Sequence, residues 1–126
     1  MKLLLNDQRV DINKAENDDE TPFYIACRNG KIEIVKLLLN DQRVDINKAS
    51  NDGETPFYIA CENGHLEIVK LLGNDKRISI RKKTQGKTGF DIAKTNNHSE
   101  VMKLIKEIDT GISYSTINYR TINKIQ

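Results

Sequence analysis

Short apolar runs alternate with clusters of polar, turn-forming residues along most of the chain. The segment Asn51–Glu54 is such a cluster, and its glycine supplies a backbone conformation that other residues resist. Thr55-Pro56 then predicts a helix start, because the hydroxyl can cap a free amide and proline suits the first helical position. The mostly apolar run Phe57–Cys61 forms the predicted helix, and Asn63-Gly64 ends it as a left-handed cap.

A second helix is predicted from about Leu66 to Leu72, with Leu66, Val69 and Leu72 on one face. Isolated helices of this length are marginal in water, so each must form by packing on its neighbours. An extended arm is predicted at residues 40–47, in which the apolar side chains point one way and the polar ones the other.

The same pattern occurs twice in the sequence, with nearly identical residues. Lys2–Val35 and Lys36–Val69 match at 29 of 34 positions. The five differing pairs are Glu16/Ser50, Asp19/Gly53, Arg28/Glu62, Lys31/His65 and Ile32/Leu66. A period of this length indicates an array of stacked units, so the function is expected on a repeated surface and not in a catalytic pocket.

A turn, two short antiparallel helices and an arm in each period of this length resemble the ankyrin repeat. The stretch Gly53–Leu72 carries the resemblance, the first copy matches it with Asp19 at the glycine position, and a weaker third unit runs over Gly86–Ile105. The resemblance implies an all-α, ankyrin-type solenoid of helix-turn-helix units with extended hairpin arms. The last helix is predicted from Ser99 to about Ile108.

The predicted units divide the chain into five segments. They are a partial N-terminal unit at residues 1–15, a first repeat at 16–49, a second at 50–82, a C-terminal capping repeat at 83–109 and a polar tail at 110–126. The tail is expected to be flexible, and the alternative is a segment that covers the last helix or folds onto a partner. The first segment lacks a first helix, so the chain is expected to be part of a longer array.

Several positions depart from the family pattern. The family usually has histidine three residues after the capping threonine, where it bonds between loops, whereas this chain has Tyr24, Tyr58 and Asp91. That bond is expected to be lost or altered. The third unit also has Gly89 in place of proline and Asn97 in place of glycine, as terminal units often differ.

Charge is distributed unevenly along the chain. Residues 1–69 carry 8 basic and 13 acidic side chains, a net −5, and residues 70–126 carry 12 and 5, a net +7. This is either drift on solvated faces or a polarised surface that presents acidic and then basic groups to a partner. No apolar run is long enough to span a bilayer and no secretory signal is present, so a cytoplasmic or nuclear location is expected.

Residues that carry chemistry are sparse. Cys27 and Cys61 repeat one period apart and are expected to be reduced core residues. His65 and His98 have no nucleophile or carboxylate arrayed around them, so a structural role is predicted. A basic cluster at residues 77–87 raises nucleic-acid binding, but the acidic first half and the few aromatics argue against it. No enzymatic activity, metal, cofactor or small-molecule substrate is expected.

The resemblance implies protein–protein recognition through loop tips and the exposed side of the first helices. Carried over position by position, the predicted tip residues are Asn17, Asp18, Glu20, Asn51, Asp52, Glu54, Thr84, Gln85 and Lys87. The predicted helix residues are Arg28, Asn29, Glu62, Asn63, Thr95 and Asn96. The alternative is a structural spacer, or a fragment of a longer ankyrin protein whose activity lies in another domain.

Overall fold

The computed structural model describes residues 11–111, which form six α-helices in three antiparallel pairs. The helices are α1 (Pro22–Arg28), α2 (Ile32–Leu39), α3 (Pro56–Glu62), α4 (Leu66–Gly73), α5 (Gly89–Thr95) and α6 (Ser99–Thr110). Residues 11–111 contain no β-strand, and their one isolated bridge pairs Thr84 with Lys87. The predictions for residues 1–10 and 112–126 lie outside the described residues.

The first helix of each pair starts as its sequence predicts. Thr55 Oγ1 accepts the Tyr58 amide at 3.1 Å, and the first unit repeats this cap. In the third unit Thr88 and Asp91 accept each other's backbone amides, at 3.1 and 2.9 Å, in a reciprocal capping box. Each cap satisfies amides that the first turn of a helix would otherwise leave without a partner.

The stack is built from two layers of helices. The first helices α1, α3 and α5 pack on one another, and the second helices α2, α4 and α6 pack behind them. Ile68, Val69 and Leu72 of α4 are fully buried between the layers, whereas Leu66 is 37% exposed. Of the three residues predicted to share one face, Val69 and Leu72 are therefore buried and Leu66 is partly exposed. At 3.6 residues per turn, Leu66 and Ile68 lie about 200° apart around the helix, so both cannot face the core.

The arms between the pairs are chains of turns and not extended strands. Asp41 Oδ1 accepts the Arg43 amide at 3.0 Å, and the side chain of Arg43 bonds to the same carboxylate. These bonds lower the pKa of Asp41 to about 2. Val44 and Ile46 are 6% and 3% exposed, so the predicted sidedness of the arm is correct although its backbone is not extended. An aspartate that bonds to the amide two residues ahead favours a turn over a strand.

An asparagine in each of two successive arms bonds to the next arm. Asn13 Nδ2 donates to the Arg43 carbonyl oxygen at 2.7 Å, and its Oδ1 accepts the Asp45 amide at 2.8 Å. One period later, Asn47 Nδ2 donates to the Arg77 carbonyl oxygen at 2.9 Å. The arms are thus joined through side-chain amides in place of a β-ladder.

The turns between paired helices use glycine because the next unit packs directly on them. Gly64 has φ +69°, and a Cβ atom there would lie 2.6 Å from the His98 ring. His98 Nε2 bonds to the Glu62 carbonyl oxygen at 2.9 Å, and the preceding unit repeats this arrangement one period earlier. Asn97 adopts the same left-handed turn at φ 62° in the last unit, where no further histidine follows in the sequence. The Asn97 side chain is exposed, so a residue other than glycine is accommodated there.

The third unit departs from the first two where it packs against the second. A Cβ atom on Gly89 would lie 2.8 Å from the Phe57 ring and 2.9 Å from Cys61 Sγ, which explains the glycine in place of proline. Helix α6 runs two residues beyond its predicted end. Ile108 of this helix lies over Gly73, where a Cβ atom would lie 2.6 Å from Ile108 Cδ1.

Candidate functional site

The positions predicted to bind a partner come from the loop tips and from the C-terminal ends of the first helices. We call this set the inner face. It comprises Asn17, Asp18, Glu20, Arg28, Asn29, Asn51, Asp52, Glu54, Glu62, Asn63, Thr84, Gln85, Lys87, Thr95 and Asn96. All of them are exposed or half-buried except Thr84, which is 5% exposed.

Hydrogen bonds join successive loop tips into one edge. The Asn51 amide donates to the Asp18 carbonyl oxygen at 2.8 Å. Thr84 Oγ1 donates to the Gly53 carbonyl oxygen at 3.0 Å. The Thr84 side chain is therefore buried between two tips, where it serves the fold, and the prediction that it offers a contact surface to a partner is not supported by its position.

Two asparagines of the inner face also link units. Asn63 Nδ2 donates to the Arg28 carbonyl oxygen at 3.1 Å, and Asn96 Nδ2 donates to the Glu62 carbonyl oxygen at 2.9 Å. Asn29, the equivalent residue of the first full unit, is exposed. The side-chain oxygens of these asparagines remain the part of the amide that a partner could use.

In the first full unit Glu20 and Arg28 of the inner face form an ion pair. Arg28 Nη1 lies 2.6 Å from Glu20 Oε1, and the guanidinium lies 5.9 Å from the centroid of the Tyr24 ring. The Tyr24 hydroxyl donates to Glu54 Oε1 of the next unit at 3.2 Å. The loop bond that histidine usually makes is therefore altered and not lost at this position. Burial, together with the Glu54 charge, raises the pKa of Tyr24 above its usual value.

The second unit has the same glutamate and tyrosine at the equivalent positions, but the charge at the third position is reversed. Glu54 aligns with Glu20, but Glu62 stands where the first unit has Arg28. Burial, followed by the charge of Glu62, raises the pKa of Glu54 above its ordinary value. Within residues 11–111, no lysine or arginine lies within 4.0 Å of either carboxylate. The second unit thus carries two neighbouring carboxylates and no cation between them.

The third unit makes the inner face basic. Lys87 takes the place of Glu54 and Thr95 that of Glu62, and both are exposed. Lys82 and Lys83 of the same loop are exposed as well. Asp91 is occupied by its capping box, and its bonds to Thr88 lower the pKa of its carboxyl. The sign of the surface charge therefore changes from the second unit to the third.

Sequence reasoning did not include Tyr24 and Tyr58 in the inner face. Both rings are buried, at 1% and 7% exposure, and Tyr24 connects the charged positions of two units. Their position in the repeat could have indicated this role, since both tyrosines replace a histidine that usually bonds between loops. A phenol reaches farther than an imidazole and can bond to a tip carboxylate.

Four other features of the described part of the chain bear on its chemistry, namely its metal-ligating side chains, the length of its helices, its thiols and its cavities. Residues 11–111 contain no group of three metal-ligating side chains, and none of their helices is long and apolar enough to cross a membrane. Cys27 and Cys61 are buried free thiols, and burial raises their pKa. A depression of about 240 Å³ beside α5 and α6 includes Arg81 and Asp109, which form an ion pair at 2.7 Å.

Comparison with known proteins agrees with this architecture. A family model for ankyrin repeats in three copies matches residues 1–84 and residues 42–118 of the 126-residue chain. None of the curated proteins compared with the chain matches it. Ankyrin repeats are typically protein-binding and not enzymatic. With stacked helix pairs in the described residues and a match from residue 1 to residue 118, the chain belongs to the ankyrin repeat family.

Proposed function

We propose that this chain is a protein–protein interaction module that binds a protein partner through the inner face. Membership of the ankyrin repeat family supports binding to a protein. The observation that carries the choice of surface is the change of charge at equivalent positions, Arg28, Glu62 and Thr95, within units whose supporting contacts repeat. Residues that vary without disturbing the stack are free to serve recognition.

The charge pattern also predicts which surface charges the partner carries. The acidic groups of the second unit favour a basic surface, and the lysines of the third unit favour an acidic one further along. Charged groups of this kind set the association rate and the choice of partner more than they set affinity. A partner with basic and then acidic character complements the inner face in this order.

Affinity capture with two matched charge-reversal variants tests the proposal. One variant changes the inner face by Asp52→Lys, Glu54→Lys and Glu62→Lys. The other makes the same change of charge on the exposed side of the second helices, by Glu33→Lys, Glu67→Lys and Glu100→Lys. Proteins captured from a lysate of the source organism are quantified by mass spectrometry, and circular dichroism verifies that both variants are folded.

We expect the wild-type chain and the second-helix variant to capture the same proteins, and the inner-face variant to lose them. Equal capture by all three would contradict the inner face as the binding surface. If the wild-type chain captures nothing above a denatured control, the result would favour the alternative, a structural spacer within a longer ankyrin protein.

A further inference from the structure

We propose that the second unit binds an arginine side chain of the partner, with the guanidinium held between the carboxylates of Glu54 and Glu62 beside the Tyr58 ring. This assignment rests on the proposed function and names the side chain that the partner must present. It stands on two independent features of the molecule: the occupied guanidinium position of the first unit and the pair of carboxylates at the equivalent place in the second.

The first unit shows how this part of the repeat holds a guanidinium. A tip carboxylate, Glu20, contacts Arg28 Nη1 at 2.6 Å, and the Tyr24 ring lies 5.9 Å from the centre of the guanidinium. The carboxylate neutralises the charge, and the aromatic ring attracts the cation through its electron-rich face. In the first unit, then, the chain itself fills the position.

The second unit keeps these groups and leaves out the arginine. Glu54 and Tyr58 align with Glu20 and Tyr24, and Glu62 replaces Arg28. The substitution removes the internal cation and adds a second carboxylate beside the first. No basic side chain of the described residues approaches either carboxylate within 4.0 Å. The described residues therefore leave these two carboxylates available to a cation that they do not themselves supply.

Glu54 is already held in place before a partner arrives. Its Oε1 atom accepts the Tyr24 hydroxyl at 3.2 Å, and the residue is half-buried between two units. The raised pKa of Glu54 reports the cost of ionising it there beside Glu62. A bound cation offsets the part of that cost that comes from the Glu62 charge, and a carboxylate that is fixed beforehand loses little freedom on binding.

The chemistry favours arginine over the other candidate cations. A guanidinium is planar, donates in a fork that two carboxylates can share, and is more weakly hydrated than an ammonium. It also stacks on aromatic rings, as Arg28 does on Tyr24. A divalent metal ion needs more ligands, and the described residues offer no group of three acidic, histidine or cysteine side chains that could hold one.

Titration with a minimal probe tests the position without the unidentified partner. The probe is the capped tripeptide acetyl-Gly-Arg-Gly-amide, and its control has citrulline, which is neutral and nearly isosteric, in place of arginine. Amide shifts of the ¹⁵N-labelled full chain report where each peptide binds. Four proteins are compared. They are wild type, Glu62→Gln, Glu62→Arg, which supplies its own guanidinium, and Arg28→Glu, which vacates the equivalent position of the first unit.

We expect saturable shifts centred on Glu54, Tyr58 and Glu62 in the wild type, with the citrulline peptide about tenfold weaker or worse. Glu62→Arg should abolish these shifts, and Arg28→Glu should add a second set around Glu20 and Tyr24. Glu62→Gln retains the size of the side chain and should weaken binding by about fivefold, which separates loss of charge from loss of folding.

Equal binding of the arginine and citrulline peptides, or unchanged binding to Glu62→Arg, would overturn the proposal. The protein-binding function can be judged separately by affinity capture. Capture that is lost in the triple inner-face variant but unchanged in Glu62→Arg would leave the proposed function standing and refute the arginine position.

Discussion

The turn at Gly64 and the helix position at Glu62 are neighbours in the chain, yet they differ in what the repeat demands of them. At the turn, the first two units have the same glycine, and a histidine of the next unit packs over each. At the helix position, one unit has arginine and the other glutamate. The stack tolerates this change because its structural bonds involve the backbone of Glu62 and not the side chain. Asn96 and His98 of the next unit both bond to the Glu62 carbonyl oxygen, which any residue would supply.

The difference separates two kinds of position within one repeat. Residues whose side chains or missing side chains touch the next unit are constrained by packing. Residues that contribute only a carbonyl oxygen to the stack are free to change charge. Arg28 and Glu62 of the inner face are of the second kind, so neighbouring units can share one fold and still present different chemistry.

The largest effect is expected from Gly64→Ala. The substitution places a Cβ atom in a left-handed turn and within 2.6 Å of the His98 ring, so we expect a loss of about 2–4 kcal/mol in the free energy of unfolding. Asn97→Ala is the matched control, because that turn has the same backbone and no following histidine. Urea denaturation should show a loss there of only about 1 kcal/mol. Equal losses would contradict the role of the ring.

Exchanging the charge at the variable position should have a smaller effect of predictable sign. Glu62→Arg recreates the Arg28–Glu20 arrangement in the second unit and should stabilise the chain by about 0.5–1 kcal/mol, with solvent screening limiting the gain. Arg28→Glu should destabilise it by a similar amount. Denaturation of both variants at low and high salt gives the measurement. A stability change of the same sign in both would show that the two positions are not equivalent.

The stabilisation by Glu62→Arg should depend on pH. In the wild type, burial and the Glu62 charge raise the pKa of Glu54 above 4.5, so the folded state binds the proton more tightly than the unfolded one. This contribution to stability is present below pH 4.5 and is lost as the pH rises through the raised pKa.

Replacing Glu62 removes one cause of the raised pKa. The difference in unfolding free energy between Glu62→Arg and the wild type should therefore be small at about pH 4 and grow toward about pH 7. Urea denaturation across that range, with the exposed Glu67→Arg as a control of equal charge change, measures it. A difference that does not change with pH would show that the two carboxylates are not coupled.

The smallest effect is expected at the loop tips. Asp19 adopts φ 58°, whereas Gly53 occupies the equivalent position of the next unit at φ 79°. Asp19→Gly removes a side chain from a left-handed conformation and should stabilise the chain by about 0.5 kcal/mol. The converse, Gly53→Asp, should destabilise it by a comparable amount. Thermal unfolding of the two variants should move in opposite directions, and a shift in one direction for both would contradict this prediction.

Much of the framework followed from local sequence. The capping threonines, the helix at Pro56–Glu62 and the left-handed turn at Gly64 were predicted because each depends on a few neighbouring residues. The solenoid class followed from the period. The partial exposure of Leu66 was not predicted, because its short helix has apolar residues around most of its circumference and periodicity alone did not define the buried side.

The inner face was predictable in outline and not in its pairing. Alignment of the repeats identified Arg28 and Glu62 as a charge reversal. It did not identify Glu20 as the partner of Arg28, or Tyr24 as the donor to Glu54 in the next unit. The Tyr24–Glu54 contact depends on the distance between adjacent units, and the Glu20–Arg28 pair depends on how the loop tip folds over the first helix of its own unit. The burial of Thr84 between two tips was hidden for the same reason.

The sequence by itself determined that this protein is a stack of helical units, because a repeated pattern of caps, turns and apolar faces can bury its core only by stacking. It also determined where the units differ. Only the tertiary structure decided what those differences do. Stacking brings a tyrosine of one unit to a carboxylate of the next, and the fold of the second unit leaves Glu54 and Glu62 side by side where the first unit has an ion pair. Charges interact through space, and their spacing is set by the packing of the units.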